Sequence, residues 1–213
     1  MAATAQLEAL RARIRALEGG APVRRRREPS GVEVIDAILG GLPRPGVVEI
    51  CGALGSGRVQ VAGALLAQAT RQRRAVAWVD PLRRLYPPAL ADLGVGLEQL
   101  LIVRPPEDGS QPWLWAGEQL LRSGCFELVV VDRPGAQGLP RRPIGSRWAR
   151  AAEHGGSTAL VLGERPARQL AADVRLAVGR GEVVAVRDRG GSLGGLGALP
   201  PRREEACPWG SRG

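Results

Sequence analysis

Gly52, Gly55 and Gly57, together with Ser56, Arg58 and Val59, have the spacing of a phosphate-binding loop, G-x-x-x-x-G-K-[ST]. In that pattern backbone N–H groups cradle phosphates, the lysine reaches the β- and γ-phosphates, and the hydroxyl ligates Mg²⁺. Arg58 stands at the lysine position and Val59 at the hydroxyl position, and the chain contains no lysine that could substitute. A guanidinium keeps the charge, but it is planar and bulkier than an ammonium at a tight phosphate site. Valine offers a metal no oxygen. The surviving glycines predict that the loop keeps its shape. The helix opening at Ser56-Gly57 would favour an anion at its N-terminus. These residues suit weak anion binding better than hydrolysis, which points to a binding or scaffolding role with no cofactor and no metal.

The elements around the loop support this placement. Val47 to Cys51 reads as a buried strand entering it, and Gln60 to Arg71 as the helix leaving it. Ser30 with Glu33 forms a capping-box pattern ahead of Val34, Ile35, Ile38 and Leu39. Further strands are expected at Ala75–Asp80, Leu100–Val103, Phe126–Asp132 and Thr158–Leu162. Helices are expected at Pro88–Leu93, Trp113–Arg122 and Ile144–Glu153, the last with Ser146 as N-cap. Val174–Val178 and Val183–Arg187 alternate and predict a pair of edge strands. Short apolar strands alternating with amphipathic helices imply an α/β fold, a mostly parallel sheet flanked by helices.

Four segments follow. Residues 1–20 form an N-terminal amphipathic helix whose Leu7, Leu10, Ile14 and Leu17 make one apolar stripe. Too short to be stable alone, it must dock on the core or on a partner. Residues 21–30 form a Pro-flanked linker with the basic run Arg24 to Arg27, either solvated or set against phosphates or an acidic protein. Residues 31–189 are the core. Residues 190–213, rich in Gly, Pro and Arg, are expected to be mobile. Trp209 in that tail is a candidate linear-motif contact.

The formal net charge is +9. It fits an anionic partner such as nucleic acid, and equally arginine supplied by codon usage. Cys51, Cys125 and Cys207 are far apart and form no C-x-x-C, so neither a zinc site nor a disulfide framework is indicated. Cys51 and Cys125 read as buried thiols. The start Met1-Ala-Ala-Thr-Ala and the lack of an apolar run of about 18 residues predict a cytoplasmic chain that does not engage a membrane. His154, the only histidine, reads as a helix end rather than a catalytic base. Trp113 and Trp115 are core or interface residues.

In order and spacing, several stretches resemble the RecA-like ATPase core from about Gly31 to Arg189. They are Leu39-Gly40-Gly41-Leu42-Pro43-Arg44-Pro45-Gly46 before the loop, the loop itself, Ala77-Trp78-Val79-Asp80, Leu93-Gly94-Val95 with Leu100-Leu101, and Val129-Val130-Val131-Asp132. Within that group, Trp78-Val79-Asp80-Pro81, Tyr86-Pro87-Pro88-Ala89-Leu90, Ile102-Val103-Arg104-Pro105 and Trp115-Ala116-Gly117-Glu118-Gln119-Leu120-Leu121-Arg122 resemble the ImuA type. That resemblance implies a non-catalytic adaptor in damage-induced, error-prone translesion DNA synthesis. Its partners would be an ImuB-type Y-family polymerase-like protein, RecA and an error-prone polymerase, met through the N-terminal helix or the tail. It also keeps open a SulA-type division inhibitor that binds a tubulin-like filament protein, and a slow RecA-like ATPase. The resemblance places Asp132 at the acid that supports Mg²⁺, or else leaves it as a polar strand end. The glutamate that activates water falls at or near Leu82, and leucine cannot do this. The segments matching the DNA-gripping loops are short, but Arg133, Arg141, Arg142, Arg165 and Arg168 would form a basic rim for weak DNA contact.

Overall fold

The computed structural model describes residues 26–106, 111–135, 144–167, 169–179, 181–188 and 197–198. Leu7, Leu10, Ile14 and Leu17, most of the linker and tail, and Arg141, Arg142 and Arg168 lie outside them.

The chain opens with β1 (Arg27–Glu28), α1 (Glu33–Leu39), β2 (Leu42–Pro43) and β3 (Gly46–Cys51). Next come α2 (Arg58–Arg71), β4 (Val76–Val79), α3 (Pro87–Asp92) and β5 (Leu100–Val103). Then follow α4 (Pro112–Arg122), β6 (Leu128–Asp132), α5 (Gly145–Gly155) and β7 (Thr158–Gly163). The hairpin of β8 (Val174–Gly179) and β9 (Glu182–Asp188) precedes β10 (Gly197–Ala198). The main sheet has the order β10-β9-β8-β3-β7-β6-β4-β5, parallel from β8 to β5 and antiparallel at β9 and β10.

Alternation along each strand feeds two cores. Val48, Ile50, Val76, Trp78, Leu128, Val130, Leu160 and Leu162 face α1 and α2, where Ile35, Ile38, Leu65 and Leu66 are buried. Val47, Ala77, Val79, Val129, Val131, Ala159 and Val161 face α4 and α5, which contribute Trp113, Leu121, Trp148, Ala151 and Ala152. A sheet apolar on both faces must be covered on both, and helices cover it here. No described helix is long and apolar enough to cross a membrane.

Several expectations need correction. β8 is not an edge strand, because it pairs with β3 on one side and β9 on the other. Its alternation arises because Val174, Leu176 and Val178 enter one core while Arg175 faces a buried acid. Gly197–Ala198, read as tail, pairs with β9. Arg27, read as part of a basic linker run, sits in β1, donates to the Gly41 carbonyl at 3.1 Å and pairs with Asp188. Ser30 is not an N-cap. α1 starts after Val32, and Asp36 reaches back to accept the amides of Ser30 and Gly31 at 2.8 and 3.0 Å. Ser146 lies inside α5 rather than capping it. Cys125 is exposed, since Ser123–Phe126 forms a surface turn before β6.

Candidate nucleotide-type site and its buried charges

The loops at the carboxyl ends of β3, β4 and β6 meet where open α/β sheets bind ligands. Residues 52–57 join β3 to α2, with Gly57 at φ 100°, a left-handed conformation that favours glycine. The loop is packed tightly at its first glycine. A Cβ at Gly52 would collide with Ser56 Oγ and the Val178 carbonyl oxygen.

The Arg58 side chain turns back onto the loop. It is only 7 % exposed, and its Nη1 donates to the Gly52 carbonyl at 2.6 Å. Its Nε and the Ser56 Oγ are buried without a hydrogen-bond partner among the described residues. Val59 is 39 % exposed at the start of α2 and carries no oxygen. In this arrangement Arg58 and Val59 offer a magnesium–nucleotide complex neither a free cation nor a hydroxyl ligand. The cation is already bonded to the loop's own backbone, and the metal-binding hydroxyl is missing.

Asp80 and Asp132 stand at the ends of neighbouring strands, and only Asp80 is satisfied. Its buried carboxylate accepts the amides of Arg84 and Leu85 at 2.9 and 3.2 Å, and Arg104 Nε at 3.2 Å. Asp132 Oδ1 is buried with no partner among the described residues. Burial pushes the Asp132 carboxyl above the usual carboxylate range; Arg58 opposes the shift and Asp80 adds to it.

Folded Asp132 keeps its proton to higher pH than the unfolded chain does, so stability falls as pH rises from the usual carboxylate range through the folded value. Asp132→Asn removes the buried charge. The variant is expected to have a higher thermal midpoint at neutral pH and to lose this part of the decline. Paired thermal melts at acid and neutral pH check it; an equal or lower midpoint at neutral pH refutes it.

A second cluster was not visible in the sequence. Glu49, fully buried in β3, accepts the Ala167 amide at 2.7 Å and pairs with Arg175, its register partner on β8. Arg133 Nη2 lies 4.0 Å from Glu49 and donates to the Arg165 carbonyl. Arg175 also donates to the Ala167 carbonyl at 3.2 Å. These bonds staple the β7–β8 connection to the centre of the sheet. Burial, with Glu49 next, pushes the Cys51 thiol beside the cluster up to about 12, so it is an inert thiol.

The RecA N-terminal domain family matches residues 21–176. The chain belongs to that family. Among curated RecA proteins, that of Picosynechococcus sp. is 37 % identical over 117 residues, covering 54 % of this chain and 33 % of its own length. RecA of Nocardioides sp. is 38 % identical over 118 residues, with the same coverage of 54 % and 33 %. RecA of Bacillus subtilis is 37 % identical over 106 residues, covering 49 % of this chain and 30 % of its own length. The chain thus spans about a third of the length of the curated relatives it matches.

Within this RecA-type core, the structure brings together Gly52, Gly55, Ser56, Gly57, Arg58 and Asp132 at the sheet's carboxyl edge, with half-buried Leu82 on the loop after β4. Of the expected basic rim, only Arg133 and Arg165 fall among the described residues. Arg165 is exposed, but Arg133 is only 7 % exposed and is held inward by Glu49 and the Arg165 carbonyl. Trp113 is core and Trp115 is exposed. His154 sits in the last turn of α5.

Proposed function

We propose that the chain is a non-catalytic RecA-fold adaptor acting in the cytoplasm in damage-induced, error-prone translesion DNA synthesis. Its partner on this reading is an ImuB-type Y-family polymerase-like protein, with RecA and an error-prone polymerase as further members of the assembly. The observation that carries the non-catalytic part is the Arg58 side chain bonded to the Gly52 carbonyl. The guanidinium supplies internally the positive charge that a bound Mg²⁺ would bring to the neighbourhood of Asp132. Val59 and Leu82 contribute neither a metal ligand nor a base. Family membership and the ImuA-type motifs support the choice of DNA repair as the setting.

Radiometric ATP turnover and nucleotide-induced thermal shift test the first half. The expected result is no turnover above blank and no shift of the melting midpoint by ATP with Mg²⁺. Turnover that disappears in Arg58→Ala would make the chain a slow ATPase and end the adaptor reading. The second half is tested by purifying the tagged chain from DNA-damaged cells. A co-purifying Y-family polymerase-like protein supports it. A division-ring protein recovered in its place overturns it.

A further inference from the structure

Three of the large exposed apolar side chains among the described residues lie on loops and helix starts at the carboxyl edge of the sheet. Leu54 is 66 % exposed on the loop after β3, Val59 39 % at the start of α2, and Tyr86 67 % before α3. The packing of α2 on α3 sets their relation. Leu90 and Leu93 lie against Gly63, and Gly94 lies against Ala67 and Arg71, so the two helices run in the same direction. One turn earlier on each helix, this register brings Val59 and Tyr86 to the same end of the pair.

The surface is also charged and held in place. Arg83 and Arg84 are exposed between β4 and Tyr86, with Arg83 at φ 51°. The fully buried Asp80 fixes this loop through the amides of Arg84 and Leu85, and Arg104 Nη2 adds a bond to the Leu85 carbonyl at 3.4 Å. Segments 52–60 and 81–89 contain Arg58, Arg83 and Arg84 and no acidic residue. Tyrosine and arginine are the residue types that anchor interfaces, and a display fixed before binding loses little entropy on docking.

We propose that this patch docks an acidic segment of a partner protein that also carries apolar side chains. The apolar part would cover Leu54, Val59 and Tyr86, and the carboxylates would meet Arg83 and Arg84. The proposal deepens the adaptor reading and rests on it: a mouth that no longer admits Mg²⁺-nucleotide is free to take a protein. A phosphate chain suits the surface less well, because the loop's own cation points inward and apolar groups stand at the mouth.

The test uses the full chain with a fluorescein-labelled peptide alternating glutamate with leucine and phenylalanine. Its lysine counterpart and a single-stranded oligonucleotide are run in parallel. Binding of the acidic peptide and not the lysine peptide is expected, with affinity lowered about tenfold or more in Tyr86→Ser and in Arg83→Glu/Arg84→Glu. Trp115→Ser, on α4 across the sheet, should leave affinity unchanged. These side chains are exposed, so matching melting curves establish that the variants fold. No binding, binding indifferent to Tyr86, or Tyr86-dependent binding of the oligonucleotide alone overturns the proposal. The same preparations are assayed for ATP turnover. Turnover would sink the adaptor reading, whereas absent turnover with peptide binding indifferent to Tyr86 would sink only the docking surface.

Discussion

Glu49→Ala is expected to destabilise the fold by about 3–5 kcal/mol, the range for removing one partner of a buried ion pair. The substitution leaves Arg133 and Arg175 inside the protein without their shared carboxylate and strips the Ala167 amide of its acceptor. Against a typical stability of about 5–15 kcal/mol, such a loss is a large fraction of the total. Chemical denaturation checks the size, and Glu49→Gln separates the contributions. Gln keeps an acceptor for Ala167 and loses the charge, so it should fall between wild type and Ala. Protection of residues 164–173 against hydrogen exchange should drop in both variants. A cost below about 1 kcal/mol for Ala would mean that the arginines reach solvent when released, and that the staple does not hold the connection.

Trp148→Ala should cost about 3–5 kcal/mol, the range for truncating a buried tryptophan. Trp148 is 1 % exposed and meets Trp113 edge-on, with ring centroids 6.2 Å apart and an interplanar angle of 87°. The ring fits so closely against α4 that a Cβ at Gly117 would sit 3.0 Å from it. Backbone on that side belongs to α4, which limits how far the vacated space can close. Trp148→Phe keeps most of the volume and the aromatic contact, so its cost should be clearly smaller. Equal losses for Phe and Ala would show that packing around the ring is looser than the Gly117 contact implies.

The fold was legible because its signals are local. Apolar runs such as Leu128–Val131 fit only a strand covered on both faces, and the loop spacing at Gly52–Val59 fixes a strand before it and a helix after it. The Glu49 cluster was not legible. A single glutamate in Val-Val-Glu-Ile-Cys looks like noise in a buried strand, and its partner Arg175 lies 126 residues further along. Only strand register, which no local pattern encodes, brings them together. The same gap explains Arg133. An arginine just after a strand reads as a surface residue, and the buried carboxylate that draws it inward comes from a different strand. For Arg58 the sequence specified the charge but not its direction. Whether a guanidinium points outward to a ligand or back to a carbonyl depends on how closely the loop lies against β8.

The bond from Arg58 to Gly52 bears on how such a protein responds to a starving cell. A fold that needs a nucleotide to complete its loop gains stability in proportion to the logarithm of nucleotide concentration, and weakens when the supply falls. On the adaptor reading, a loop bridged by its own side chain has no such dependence. The amount of folded protein would then be set by its synthesis and degradation alone, and would hold steady when damage or starvation depletes the energy store.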